Sequence, residues 1–138
     1  MAVEINVVYT GSLNTVATHG PSKKTVQTDA PVDNGGKGES FSPTDMVATA
    51  LGACMLTIIG LIAERNKLDV KGATVKVLKD MTATPPRRIA KLTVTITFPV
   101  GCKLTDADKA KFEHGAKTCP VHHSLHPDIE IPVQYIYL

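Results

Sequence analysis

The chain reads as an α+β fold, and three observations predict it. A run from Met46 to Ala63 carries no charge and is preceded by a helix-start signal. Segments of period-two alternation stand on both sides of that run, three before it and three after. They do not alternate one for one with helices, so a βαβ parallel architecture is not expected.

Size and composition narrow the class. At 138 residues, 43% hydrophobic and 20% charged, the chain suits one domain that buries a core without disulfide staples. A net charge of +2, with no basic stripe interleaved with aromatics, argues against a nucleic-acid partner. Three cysteines, an odd number, point to a reducing compartment and thiol chemistry rather than a disulfide framework. The first residues, MAVEINVVYTG, have neither a basic n-region nor a long apolar h-region, so a cytoplasmic location is expected.

The N-terminal segment, residues 1–28, reads as a β-meander. Val3, Ile5 and Val7 alternate with Glu4 and Asn6, Gly11-Ser12 turns the chain, and Leu13 to Thr18 forms a second strand. Gly20-Pro21-Ser22 turns it again before a third strand from Lys24 to Thr28. Asp29 to Ser40 is a loop without periodicity, long enough to suggest a functional one.

Residues 42–66 are the central helix. Ser42 suits the N-cap, Pro43 the first helical position, and Asp45 can reach back to the cap amide. Glu64, Arg65, Asn66 and Lys67 end the apolar run. At about 1.5 Å per residue the helix spans roughly 35 Å. Its length meets the lower limit for a membrane span, but Thr49, Thr57, Gly52, Gly60 and four alanines make it a weak hydrophobe. Apolar on every face, it is expected to be a buried spine covered by a sheet on one side and a second copy on the other. Ala48, Gly52 and Ala53 are the residues expected to let two such helices cross closely.

Residues 73–138 supply a hairpin, helices and a final strand. Ala73, Val75, Val77 and Met81 alternate with polar residues, and Pro85-Pro86 marks a loop. From Ile89 to Pro99, Ala90, Leu92, Val94, Ile96 and Phe98 face one way and Lys91, Thr93, Thr95 and Thr97 the other. The two strands pair as an antiparallel hairpin with one polar face. Thr105 and Asp108 form a capping box for a helix to about Lys117, and Pro120 starts a short helix beside Cys119. Ile129, Ile131, Val133, Tyr135 and Tyr137 form the last strand. With no linker or internal repeat, residues 1–138 read as a single domain.

Two cysteines carry the chemistry. Cys119, at the N-cap before Pro120, stands where backbone amides and the macrodipole would lower a thiol pKa from about 8.5 toward neutrality. His122 and His123 lie within a turn of it. A reactive cysteine and a buried structural one are both compatible with this setting. Cys54 is some three turns into its helix, where the dipole helps little, so reactivity there needs a neighbour from elsewhere. Lys23, Lys24, Lys37, Arg87 and Arg88 are the candidates, while Arg65 lies about three turns further along the same helix. Without such a neighbour Cys54 is an inert core thiol.

Phe41-Ser42-Pro43-Thr44-Asp45-Met46, followed by Ala50-Leu51-Gly52-Ala53-Cys54, resembles the central helix of the OsmC/Ohr proteins. Thr118-Cys119-Pro120-Val121-His122-His123-Ser124-Leu125 resembles that family's second cysteine motif, and the Gly-Gly loop leans toward the OsmC-like branch. The resemblance covers nearly the whole chain. It implies an intertwined homodimer with antiparallel sheets around the central helix and active sites at the subunit interface. It further implies peroxiredoxin-like reduction of organic hydroperoxides, with Cys54 peroxidatic, Cys119 resolving, a dithiol reductant, and no metal or cofactor. Such an enzyme serves hydroperoxide detoxification in an oxidative stress response. Two positions differ from the family's peroxidases. Thr44 stands where they carry a Glu, and no Arg precedes Cys54.

Two alternatives stand beside this. Cys119, His122 and His123, with Cys54 or Cys102, would supply ligands for a tetrahedral zinc site. A non-enzymatic module could instead hold a hydrophobic small molecule in the dimer cleft. Cys102 reads as an incidental thiol, and His114 and His126 as surface residues. Gly35-Gly36-Lys37-Gly38 lacks the spacing and preceding strand of a phosphate-binding loop.

Overall fold

The computed structural model describes all residues, 1–138, and divides into two compact units, Met1–Val47 and Ala48–Leu138. In the first, β1 (Ile5–Gly11), β2 (Asn14–His19) and β3 (Thr25–Asp29) form the expected antiparallel meander. Val7 pairs with Ala17 and Ala17 with Val26. The first turn is one residue longer than expected. Ser12 and Leu13 both adopt positive φ, 53° and 62°, so Leu13 belongs to the turn and not to β2. The loop after β3 is tied to its own ends: Asp29 N–H donates to the Phe41 carbonyl at 3.0 Å, and Glu39 N–H to Asp29 Oδ2 at 3.2 Å. Gly36 lies against the Ala30 carbonyl with no room for a Cβ.

The first helix, α1 (Pro43–Arg65), opens with the cap the residues call for. Ser42 N–H donates to Asp45 Oδ2 at 2.9 Å, and Asp45 N–H to Ser42 Oγ at 3.0 Å. The carboxylate of Asp45 therefore has a capping role. By length and composition α1 could cross a membrane. Only one face of it is buried, formed by Ala48, Leu51, Gly52, Met55, Ile59 and Ala63. Thr49, Ala50, Ala53, Thr57 and Leu61 are exposed, so the helix is not a spine covered all round by its own chain.

The sheet of the second unit covers the buried face. It is built from β4 (Thr74–Met81), β5 (Ile89–Phe98) and β6 (Val133–Tyr137), in that order. On β5, Leu92, Val94, Ile96 and Phe98 are buried as the alternation predicts. Burying each such side chain is worth about 1.5–3 kcal/mol. β4 pairs antiparallel with β5, Val77 opposite Val94, whereas β6 runs parallel to it, Val94 opposite Val133. The α+β class holds with a mixed second sheet. A Cβ on Gly52 would sit 3.1 Å from Val75 Cγ1 and 3.2 Å from Val77 Cγ2. Gly52 therefore serves α1's contact with its own sheet, which corrects its assignment to a helix crossing.

Two helices, α2 (Asp106–Lys117) and α3 (Pro120–Ser124), lie in the crossover between β5 and β6. Thr105 and Asp108 form the expected capping box at the start of α2. An aromatic column pins α2 to the sheet: Phe98 stacks on Phe112 at 5.4 Å and on Tyr137 at 4.8 Å, and Lys109 Nζ lies 4.7 Å from the centre of the Tyr137 ring. Tyr137 Oη donates to Glu113 Oε1 at 3.0 Å, and Tyr135 Oη to the Glu113 carbonyl at 3.2 Å. Burial, with the Glu113 charge adding to it, pushes the Tyr135 phenol up to about 12, so both tyrosines act as neutral donors.

Candidate redox site

The site is assembled by the close approach of α2 to α1. Cys54, Ile58 and Ile62 lie at four-residue spacing, one stripe of the helix. A Cβ on Gly115 would press into the tip of Ile62 and lie 3.2 Å from Ile58 Cγ2, so the glycine lets α2 sit near the stripe with both isoleucines undisplaced. The last turn of α2 is closed by Thr118, whose N–H and Oγ1 both donate to the Gly115 carbonyl at 3.1 Å. The next residue is Cys119. Gly115 is the contributor that residue types alone did not single out, and its signal was available: a glycine inside a helix costs about 1 kcal/mol relative to alanine and usually has a packing reason.

Cys119 is fully buried and is the N-cap of α3, its sulfur accepting the His122 N–H at 3.4 Å. Cys54, half-buried on α1, is near enough to act on the Cys119 thiol, so the fold brings the two thiols together. Both are free. The Cys119 pKa is raised, first by burial and then by the neighbouring Cys54. The amides of His122 and Val121 act in the opposite direction without overcoming this. This overturns the expectation of a dipole-lowered Cys119. A one-turn helix offers few aligned peptides, and an apolar surround penalises the anion more than they reward it.

No cation is among the groups acting on the Cys119 thiol. Lys23, Lys24, Lys37, Arg65 and Arg87 are exposed, and Arg88 turns instead to His126 and Asp128. His122 is half-buried and His123 exposed, their rings edge to face at 6.3 Å. No three His, Cys, Asp or Glu side chains converge into a metal-holding group, so the four ligands of a zinc site are not assembled by this chain. Cys102 is half-buried in its loop, and His114 and His126 are exposed. A separate cavity of about 330 Å³ lies between the C-terminal half of α1 and residues 68–73, lined by Leu56, Ile59, Gly60, Ala63, Leu68 and Val70 among others. At 100° per residue that lining is on the opposite side of α1 from Cys54.

The model of the family described as OsmC-like protein matches residues 36–134. A crystal structure from Psychrobacter arcticus, described as an osmotic stress induced and detoxification response protein, is 47% identical. It covers 95% of this chain and 93% of its own, with a TM-score of 0.89. An OsmC-like protein from Mycoplasma pneumoniae is 16% identical over 100% of this chain and 98% of its own, TM-score 0.82. An organic hydroperoxide resistance protein from Legionella pneumophila is 14% identical over 99% and 97%, TM-score 0.76. These last two share the fold. No curated protein sequence matches the chain.

Proposed function

The chain belongs to the OsmC-like protein family, and from that premise we propose that it is a thiol-dependent peroxidase for organic hydroperoxides. The observation that carries this is the proximity of the two thiols, close enough for Cys54 to act on the ionisation of Cys119. In the first step the Cys54 thiolate attacks the terminal oxygen of the hydroperoxide. The O–O bond breaks, an alcohol leaves after taking up a proton, and Cys54 becomes a sulfenic acid. Cys119 then attacks the oxidised sulfur, water departs, and a Cys54–Cys119 disulfide remains. A dithiol reductant restores both thiols by exchange, its own sulfurs ending as a disulfide.

The raised Cys119 pKa supports this division of labour. Burial and the neighbouring Cys54 keep the Cys119 thiol protonated, as suits a resolving thiol that acts only after Cys54 has been oxidised. The apolar residues around the pair, Leu51, Ile58 and Ala116 among their neighbours in the chain, favour alkyl hydroperoxides over small hydrated ones. The enzyme acts as a homodimer in the cytoplasm, the exposed face of α1 meeting a second copy, with neither nucleic acid nor membrane as partner.

The test is to treat reduced protein with an equimolar alkyl hydroperoxide and map its cysteines by mass spectrometry. A Cys54–Cys119 disulfide with peroxide consumed is expected. Cys54→Ser should reduce turnover to background, and Cys119→Ser should leave a Cys54 sulfenic acid that a dimedone probe captures. Full turnover by Cys54→Ser sinks the assignment. Thiols left untouched by peroxide would favour a binding module, with the cavity beside Gly60 as its site.

A further inference from the structure

Arg88 is one of the five cations that the sequence offered as activators of Cys54, and in the fold it faces a different group. Its Nη2 donates to His126 Nδ1 at 3.2 Å and lies 3.7 Å from Asp128 Oδ2. The same Nδ1 accepts the Asp128 N–H at 3.1 Å. One nitrogen lone pair thus serves two donors, which requires a neutral imidazole with its proton on Nε2. Arg88 is itself fixed at the base of the β4–β5 loop: its N–H donates to Thr82 Oγ1 at 3.1 Å, and its carbonyl accepts the Thr82 N–H at 2.8 Å.

The clasp joins a rigid hairpin to the segment that follows α3. Cys119 is held on one side by the closed end of α2, through Thr118 and Gly115. On its other side lies one helical turn, then His126, before the chain joins the sheet through Glu130 N–H to the Ala90 carbonyl at 3.1 Å. The Arg88–His126 bond is the first side-chain tie to another element after α3. We propose that Arg88 and His126 are positioning residues that hold the α3 turn so that Cys119 stays opposed to Cys54.

The charged groups within ion-pair distance of the imidazole are Arg88, from the hairpin, and Asp128, from its own loop, 3.8 Å away.

This rests on the two thiols acting as a pair, so the test measures their pairing without peroxide. Reduced protein is equilibrated with reduced and oxidised glutathione, and the effective concentration of the Cys54–Cys119 pair is read from the disulfide fraction. In that exchange Cys119 displaces glutathione thiolate from a Cys54–glutathione mixed disulfide. Arg88→Ala should lower the effective concentration roughly three- to tenfold, the range of one half-exposed charge-assisted bond. His126→Asn keeps an acceptor near the Nδ1 position, so it should retain the wild-type value, whereas His126→Ala should lose as much as Arg88→Ala. An unchanged value in Arg88→Ala or in His126→Ala overturns the clasp. Failure of wild-type protein to form the disulfide in glutathione overturns it too. A wild-type disulfide in glutathione but none with hydroperoxide leaves the clasp standing and removes the peroxidase.

Discussion

At the scale of single residues, the two thiols differ in what surrounds them. Cys119 is buried and meets the Cys54 sulfur, and both effects oppose its ionisation. Its thiolate is what attacks the sulfenic acid, so the resolving step should quicken as pH rises through the ordinary thiol value of about 8.5 and should not level off there. Rapid quenching of a single oxidation cycle at several pH values measures this, and a plateau at or below neutrality would contradict it. The placement of Cys119 at a helix start was legible from Pro120. The sign of its shift was not, because a helix start is a local property while burial depends on where α2 comes to rest. The contact between Cys54 and Cys119 is likewise absent from their spacing of sixty-five positions. Only the paired motifs pointed to it.

At the scale of elements, the glycine at the α1–α2 contact sets the geometry of the pair. Gly115→Ala should gain helix propensity of up to about 1 kcal/mol but forces a methyl into Ile62 and Ile58, an overpacking cost of about 1–3 kcal/mol. The expected net loss is about 1 kcal/mol, a fall in Tm of roughly 3–5 °C by calorimetry. Cys54–Cys119 disulfide formation should slow in the same variant, since Ile58 and Ile62, on the Cys54 stripe, must shift to admit the methyl. An unchanged Tm with unchanged disulfide formation would remove Gly115 from the site. The elements themselves were largely legible. β5 shows period two, α2 its capping box, and α1 its Ser-Pro-x-Asp start. The direction of β6 was not, because alternation marks a face and says nothing of polarity. Leu13 was read as strand because nothing in its residue type announces a left-handed turn.

At the scale of the whole molecule, the exposed face of α1 is where the proposed homodimer would be joined. Thr49, Ala50, Ala53, Thr57 and Leu61 form a stripe of mostly small residues in water, and Gly60 has nothing within 4 Å of where a Cβ would stand. On β1, Ile5, Val7 and Tyr9 are also exposed, at 59%, 60% and 65%. Within a lone chain Ala53→Lys would touch nothing, because position 53 faces solvent. In a dimer built on this helix it would bury a charge and drive dissociation. Light scattering should therefore find wild type as a dimer and Ala53→Lys as a monomer. A monomeric wild type, or a dimer untouched by the lysine, would place the interface elsewhere. The sequence showed that α1 is apolar all round. It could not tell which small residues serve the chain's own sheet, since Gly52 and Ala53 look alike until Val75 and Val77 are folded against one of them.

The parallel course of β6 has a mechanical consequence. A strand that re-enters a sheet alongside its neighbour must first be carried back to the neighbour's starting end, and α2, Cys119 and α3 are the return path. The last few residues, Val133–Tyr137, meet no sulfur, yet they anchor the far end of that path. Clipped there by a carboxypeptidase, the path would keep its tie at Glu130 and lose the strand that locks it along the length of β5.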